Sequence, residues 1–232
     1  MVLQVLYWMA ILLVAYITIS SVIHYIIAPL KFPDLEHYFR EGDTFRSDAE
    51  GIQQTILRIE DCMVYSELRM DARAPGPPMH FHINFDEAGR VEEGELTAVL
   101  EGEKKILRQG ESIEIPQGKK HTFYNHSNES VVIRADEQGI PLGFMYCLSQ
   151  FYGLFDKDAS NMKMPGILLY ISLYGNHFDS WPAAAPEPAV RFIKVILAPT
   201  ARLLGYKNYY EEFDPTHNRK PAGPVVLGEI EV

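Results

Sequence analysis

The chain is 232 residues long and carries 31 acidic against 21 basic residues, a net charge of −10. That length holds one domain of moderate size with an appendage, and the acidic balance excludes nucleic acid as a partner, because phosphates call for a basic face. Two cysteines, Cys62 and Cys147, lie far apart without C-x-x-C spacing, which excludes a disulfide framework or thiolate zinc site and leaves both expected as reduced core residues.

From Met1 to Leu30 there is no Asp, Glu, Lys or Arg. As a helix rising about 1.5 Å per residue, such a run exceeds the roughly 30 Å hydrocarbon core of a bilayer, so residues 1–31 are expected to form a single-pass transmembrane anchor. No basic residue precedes the run and no small-residue cleavage site ends it, which argues against a signal peptide. Lys31, Arg40 and Arg46 follow it, and the Lys/Arg rule therefore places the globular part in the cytoplasm. Residues 32–51 are polar and charged and read as a connector leaving the membrane.

Residues 52–139 consist of short alternating runs such as Val64–Met70 and Glu95–Leu100, separated by Gly, Pro, Asn and Asp clusters. Many short strands at close spacing predict a mainly β sandwich or barrel. Residues 140–210 change character: Leu142–Phe155, Pro165–His177 and Pro188–Leu204 are longer, aromatic-rich stretches that read as a helical C-terminal extension. Pro199 is expected to kink or end the third, whose Phe192–Leu204 part suits either a membrane surface or the core. Residues 211–232 are polar and Pro-rich and read as an irregular tail.

Within the β region lie His80-x-His82, then Glu87, and later Pro116-x-Gly118 followed by His121. In a strand, His80 and His82 point to the same face and can grip one ion; Glu87, past a turn-prone Asn84–Asp86 stretch, and the distant His121 complete a candidate ligand set. These spacings resemble the two signature motifs of the cupin superfamily. The first runs His80-x-His82, four residues, Glu87, six residues, Gly94; the second runs Gly110, five residues, Pro116-x-Gly118, two residues, His121, three residues, Asn125. Fifteen residues between Gly94 and Gly110 resemble a single-domain cupin. Two departures stand out: Ala74 replaces the leading glycine, with Gly76 nearby, and Ala88–Gly89 follow Glu87 where an aromatic is common.

The resemblance implies a jelly-roll β-barrel in which His80, His82, Glu87 and His121 hold one divalent metal ion, and often a homodimer. Three imidazoles and a carboxylate suit Fe, Mn, Ni, Cu or Zn. On an octahedral ion they leave two positions for a small-molecule ligand or substrate. Asn125, Arg90 and Phe123 are candidates for surrounding or pocket positions, Arg90 as a partner for an anionic substrate. His126 reads as an exposed turn residue, and His37, His177 and His217 as isolated. Tyr146, Phe151, Tyr152 and Phe155 suit either a lid over the barrel mouth or a cover on a sheet. The leading expectation is a metal-dependent enzyme, oxygenase or oxidoreductase before isomerase; the alternatives are a ligand-binding or sensing module, or an assembly factor for a membrane partner.

Overall fold

The computed structural model describes residues 2–163, 166–184 and 186–215; most of the expected irregular tail, and His217, lie outside them. The chain starts with α1 (Val2–Val22), continued by a π-helical turn over Ile23–Ile27. The most apolar window of this 26-residue helix has a mean hydropathy of 2.2 and none of it is buried. By length and composition it is able to cross a membrane. The segment read as a connector does more than connect: Tyr38 and Phe39 are buried in the core, and Thr44–Ser47 forms strand β1.

Then follow β2 (Ile52–Glu60), β3 (Met63–Met70), β4 (His80–Phe81), β5 (Glu87–Glu93), β6 (Glu95–Leu100), β7 (Glu103–Arg108), β8 (Ser112–Ile115), β9 (His121–Tyr124) and β10 (Val131–Pro141). They make two antiparallel sheets, completed by the short strand β11 (Trp181–Pro182), in the orders β1-β2-β3-β10-β5-β8 and β11-β4-β9-β6-β7. The architecture is thus a two-sheet jelly roll, mainly β as expected, but its sheets do not close into the barrel expected from the sequence. One reason is local: Pro77 and Pro78 lack the N–H a ladder needs and precede β4, which is only two residues long. Tight hairpins join neighbours, and Asp61–Cys62 between β2 and β3 both adopt positive φ, as does Glu101–Gly102 between β6 and β7. Cys62 therefore sits exposed in a turn, correcting the expectation of a core thiol, whereas Cys147 is buried.

Gly76 takes the place that Ala74 vacates in the motif. Its φ is +67°, and a Cβ there would fall 1.7 Å from the Phe123 carbonyl oxygen, so the chain can cross β9 only with glycine.

The C-terminal third is helical as expected: α2 (Leu142–Lys157), α3 (Gly166–Ser172) and α4 (Glu187–Leu203). One core lies between the sheets, around Val91, Leu107, Val131 and Met70. A second joins α2 and α3 to the Tyr38–Phe39 segment and the six-stranded sheet. Pro199 does not end α4, which runs on to Leu203. A proline there cannot bond the carbonyl four residues back, and that carbonyl, on Val195, accepts instead from the Tyr25 hydroxyl at 3.0 Å. The same docking pairs the Tyr16 hydroxyl with Thr200 Oγ1 at 2.9 Å. Phe192, Val195, Leu203 and Leu204 remain exposed on α4 beside the exposed apolar α1.

Candidate metal centre

The four predicted ligands converge. His80 on β4 pairs in register with His121 on β9, His82 follows two residues on, and Glu87 opens β5 in the opposite sheet, so the cluster bridges the two sheets. Their ligand atoms all lie within 4.8 Å of one another. Glu87 Oε2 is 3.0 Å from His121 Nε2 and 3.2 Å from His82 Nε2. Two donors at right angles on an ion, each about 2.1 Å away, would be about 3.0 Å apart, so the donor set fits a divalent ion.

Three backbone carbonyls orient the imidazoles. His80 Nδ1 donates to Pro78 O at 2.8 Å, His121 Nδ1 to Lys119 O at 2.9 Å, and His82 Nδ1 to Asp179 O. With each Nδ1 committed to a carbonyl, each Nε2 faces the centre, where it can present its lone pair to an ion or, as His82 and His121 do toward Glu87 without one, donate a proton. Desolvation, then the neighbouring His82 and His121, lower the His80 pKa to about 4, which keeps it a neutral donor. Burial alone would raise the Glu87 carboxyl, but hydrogen bonds from His121 and His82 hold it well below the usual carboxylate range. Burial pulls His121 down while its hydrogen bond to Glu87 raises it further, so it ends above an ordinary imidazole.

Asp179, which carries no motif, buttresses this centre. Its carboxylate accepts from Asn84 N at 2.8 Å, Ile83 N at 3.1 Å and Trp181 Nε1 at 2.5 Å, fixing the turn between His82 and Glu87. The His82 ring also stacks on Phe85, with centroids 4.3 Å apart. Nothing local in the sequence marks Asp179, because the backbone amides it holds, on Ile83 and Asn84, are almost a hundred residues upstream.

The other predicted residues divide. Phe123 lines the cavity in front of the centre. Asn125 does not: buried beneath a turn, it donates to Asp71 O and Glu129 O and accepts from Ser127, a structural role. Arg90 pairs with Glu92 at 2.8 Å and Asp136 at 3.5 Å and is absent from the cavity wall, since its position on β5 turns it toward the neighbouring β10. His126 is exposed against Tyr124, as expected. Tyr146 hydrogen-bonds Asn208 O, whereas Phe151, Tyr152 and Phe155 do cover the site.

His80, His82 and Glu87 open into a cavity of about 410 Å³ lined mostly by apolar side chains from both sheets and α2. Phe144, Leu148, Phe151 and Phe155 recur at helical spacing along α2 and roof it. Such a cavity, apolar with a few polar groups and a candidate metal centre, suits a small organic molecule.

Residues 66–134 match the Cupin_2 family, described as "Cupin domain". The chain is 28% identical to "Epoxidase atD" of Aspergillus terreus over 192 residues, covering 75% of this chain and 56% of that protein. It is 41% identical to "Oxidoreductase iacF" of Pestalotiopsis fici over 63 residues, 26% of this chain and 31% of that protein. The chain therefore spans about half or less of these relatives. Among solved structures, KdgF from Halomonas sp. aligns at 27% identity with a TM-score of 0.36, covering 46% of this chain and 91% of that one.

Proposed function

We propose that this chain is a membrane-anchored, metal-dependent oxidoreductase acting on a small, largely apolar organic molecule. The observation that carries the reading is the four-donor cluster at the wall of a mostly apolar cavity. The names of the two relatives, an epoxidase and an oxidoreductase, favour redox chemistry over isomerisation. A divalent ion held by His80, His82, Glu87 and His121 would supply Lewis-acid or redox chemistry with positions left for substrate. The protein's own part is to fix the imidazole tautomers through Pro78, Asp179 and Lys119, to place one carboxylate charge opposite them, and to exclude water with the α2 aromatics. At the other end of the chain, α1 serves as the anchor, and the exposed α4 face beside it, Phe192 to Leu204, rests in the same apolar layer.

The test is elemental analysis of the full chain in detergent, purified without chelator, beside a His80→Ala/His121→Ala double variant. About one equivalent of metal in the first and none in the second is expected. The Fe(II)-loaded chain should further bind nitric oxide, giving an electron paramagnetic resonance signal that the variant lacks. A folded wild-type chain that stays metal-free after incubation with Fe(II), Mn(II), Ni(II), Cu(II) and Zn(II) would sink the proposal.

A further inference from the structure

The cavity has a second polar feature far from the metal ligands. Glu50, Gln54, Ser66 and Tyr152 all face it, and they are 8%, 5%, 2% and 6% exposed. Gln54 Oε1 is buried without a hydrogen-bond partner among the described residues, and among them no cation or donor meets the Glu50 carboxylate. Unpartnered acceptors in an apolar wall are costly unless a ligand satisfies them.

Their placement is built. Asp156, near the end of α2, accepts from Asp48 N at 2.9 Å, Ala49 N at 2.9 Å and Ser47 Oγ at 3.2 Å, and Ser47 Oγ in turn receives Glu50 N at 3.2 Å. The turn carrying Glu50 is thereby pinned against α2. In the sheet, Gln54 pairs with Leu68 and Ser66 with Ile56, so Gln54 and Ser66 share the inward face of adjacent strands. Between β2 and β5 lie β3 and β10. Three strand spacings of about 4.8 Å separate Gln54 from the strand of Glu87 by roughly 14 Å across the sheet. Tyr152, from α2, lies between, with its hydroxyl against the Gln54 side chain and close enough to feel both Glu50 and Glu87, which leaves Gln54 Oε1 as the unpartnered atom.

We propose that Glu50 and Gln54 form a distal anchor that selects, from among apolar molecules able to chelate the metal, those bearing a remote hydrogen-bond donor such as a hydroxyl group. This inference rests on the metal-centre reading and specifies its substrate class: an extended apolar molecule with an oxygen chelate at one end and a donor at the other. Gln54 Oε1 is an unpartnered acceptor, which sets the sign of the selection. Burial, and then the nearby Asp156, push the Glu50 carboxyl up to about 7, so Glu50 adds a second acceptor only where it is ionised, and the titration is run at pH 8.

The experiment uses the full chain in detergent loaded with Co(II), whose visible absorption bands shift when a hydroxamate chelates it. Decanohydroxamic acid and its ω-hydroxy derivative are titrated into the wild type and a Glu50→Leu/Gln54→Leu variant. The ω-hydroxy preference should be larger in the wild type by about 10-fold or more, the range of hydrogen bonds to charged groups, with the plain hydroxamate unchanged by the substitutions. Should the double variant not fold, the near-isosteric Gln54→Met must lower the preference on its own. Equal preferences in wild type and variant overturn the distal anchor and leave the metal centre standing. A chain that takes up no Co(II) overturns the metal reading, and the anchor with it; a loaded chain whose bands neither hydroxamate shifts overturns the anchor alone.

Discussion

Replacing Asp179 with alanine tests whether the turn between His82 and Glu87 is held by one buried carboxylate. That group is 4% exposed and accepts from two backbone amides and an indole N–H. Hydrogen bonds to a charged acceptor contribute about 1.5–3 kcal/mol each. Three of them, discounted because the two amides share one oxygen and water can enter the gap, give a loss of about 3–5 kcal/mol. At about 2–4 °C per kcal/mol for a chain of this size, Tm should fall by roughly 6–20 °C. The carbonyl that receives His82 Nδ1 survives the substitution but loses its fixed position, so metal affinity should also fall by about 10–100-fold. Asp179→Asn keeps one acceptor oxygen and should lose less of both. Urea unfolding of the chelator-treated chain and competitive Co(II) titration read the two effects. A variant within about 0.5 kcal/mol of wild type, the ordinary scatter of surface substitutions, would refute the reasoning, and an unchanged metal affinity would detach Asp179 from the centre.

Three further outcomes are expected. A metal at 100 times its Kd should stabilise the wild-type chain by about 2.7 kcal/mol, and calorimetry should find most of that gain missing in Glu87→Gln. Glu50 has an ordinary carboxyl value of 4.5 and a folded value of about 7. As pH rises past 4.5 the unfolded chain releases this proton while the folded chain keeps it, so stability falls until about pH 7, by up to about 3 kcal/mol. Glu50→Gln should therefore match the wild type at pH 4 and exceed it at pH 8 in urea midpoints; a constant difference across that window would contradict the assignment. Gly76→Ala places a Cβ against the Phe123 carbonyl, and soluble, cooperatively unfolding protein from that variant would show that the crossing over β9 is looser than described.

The metal end was legible because its information is local. Two histidines two apart share a strand face, a glutamate follows one turn later, and Pro116-x-Gly118 sets the turn before His121; strand periodicity does the rest. Cys62 was misjudged for the opposite reason, and Pro199, expected to kink or end its helix, does not end it. Helix α4 runs past its proline, and the carbonyl this frees on Val195 is met by Tyr25 from the π-helical turn after α1, while Cys62 is exposed because a two-residue hairpin needs its backbone there. Asn125 and Arg90 fall in or beside the motifs yet serve turns and strand pairing, so proximity in sequence to a ligand was no guide to facing the cavity.

The cavity end was not legible, and the cause bears on how such chains diverge. Its roof comes from α2, and Glu50 and Gln54 come from β2 and the turn before it. All of these lie outside residues 66–134, the stretch matched to the cupin domain. Residues 66–134 supply the candidate ligands, while the segments that wrap them supply about half of the residues lining the cavity, including its roof. Chains that keep the four ligands but exchange the Tyr38–Gln54 segment or α2 should therefore retain metal binding and change ligand preference. Grafting a relative's α2 onto this chain would separate the two properties: metal content should persist while the hydroxamate preference moves.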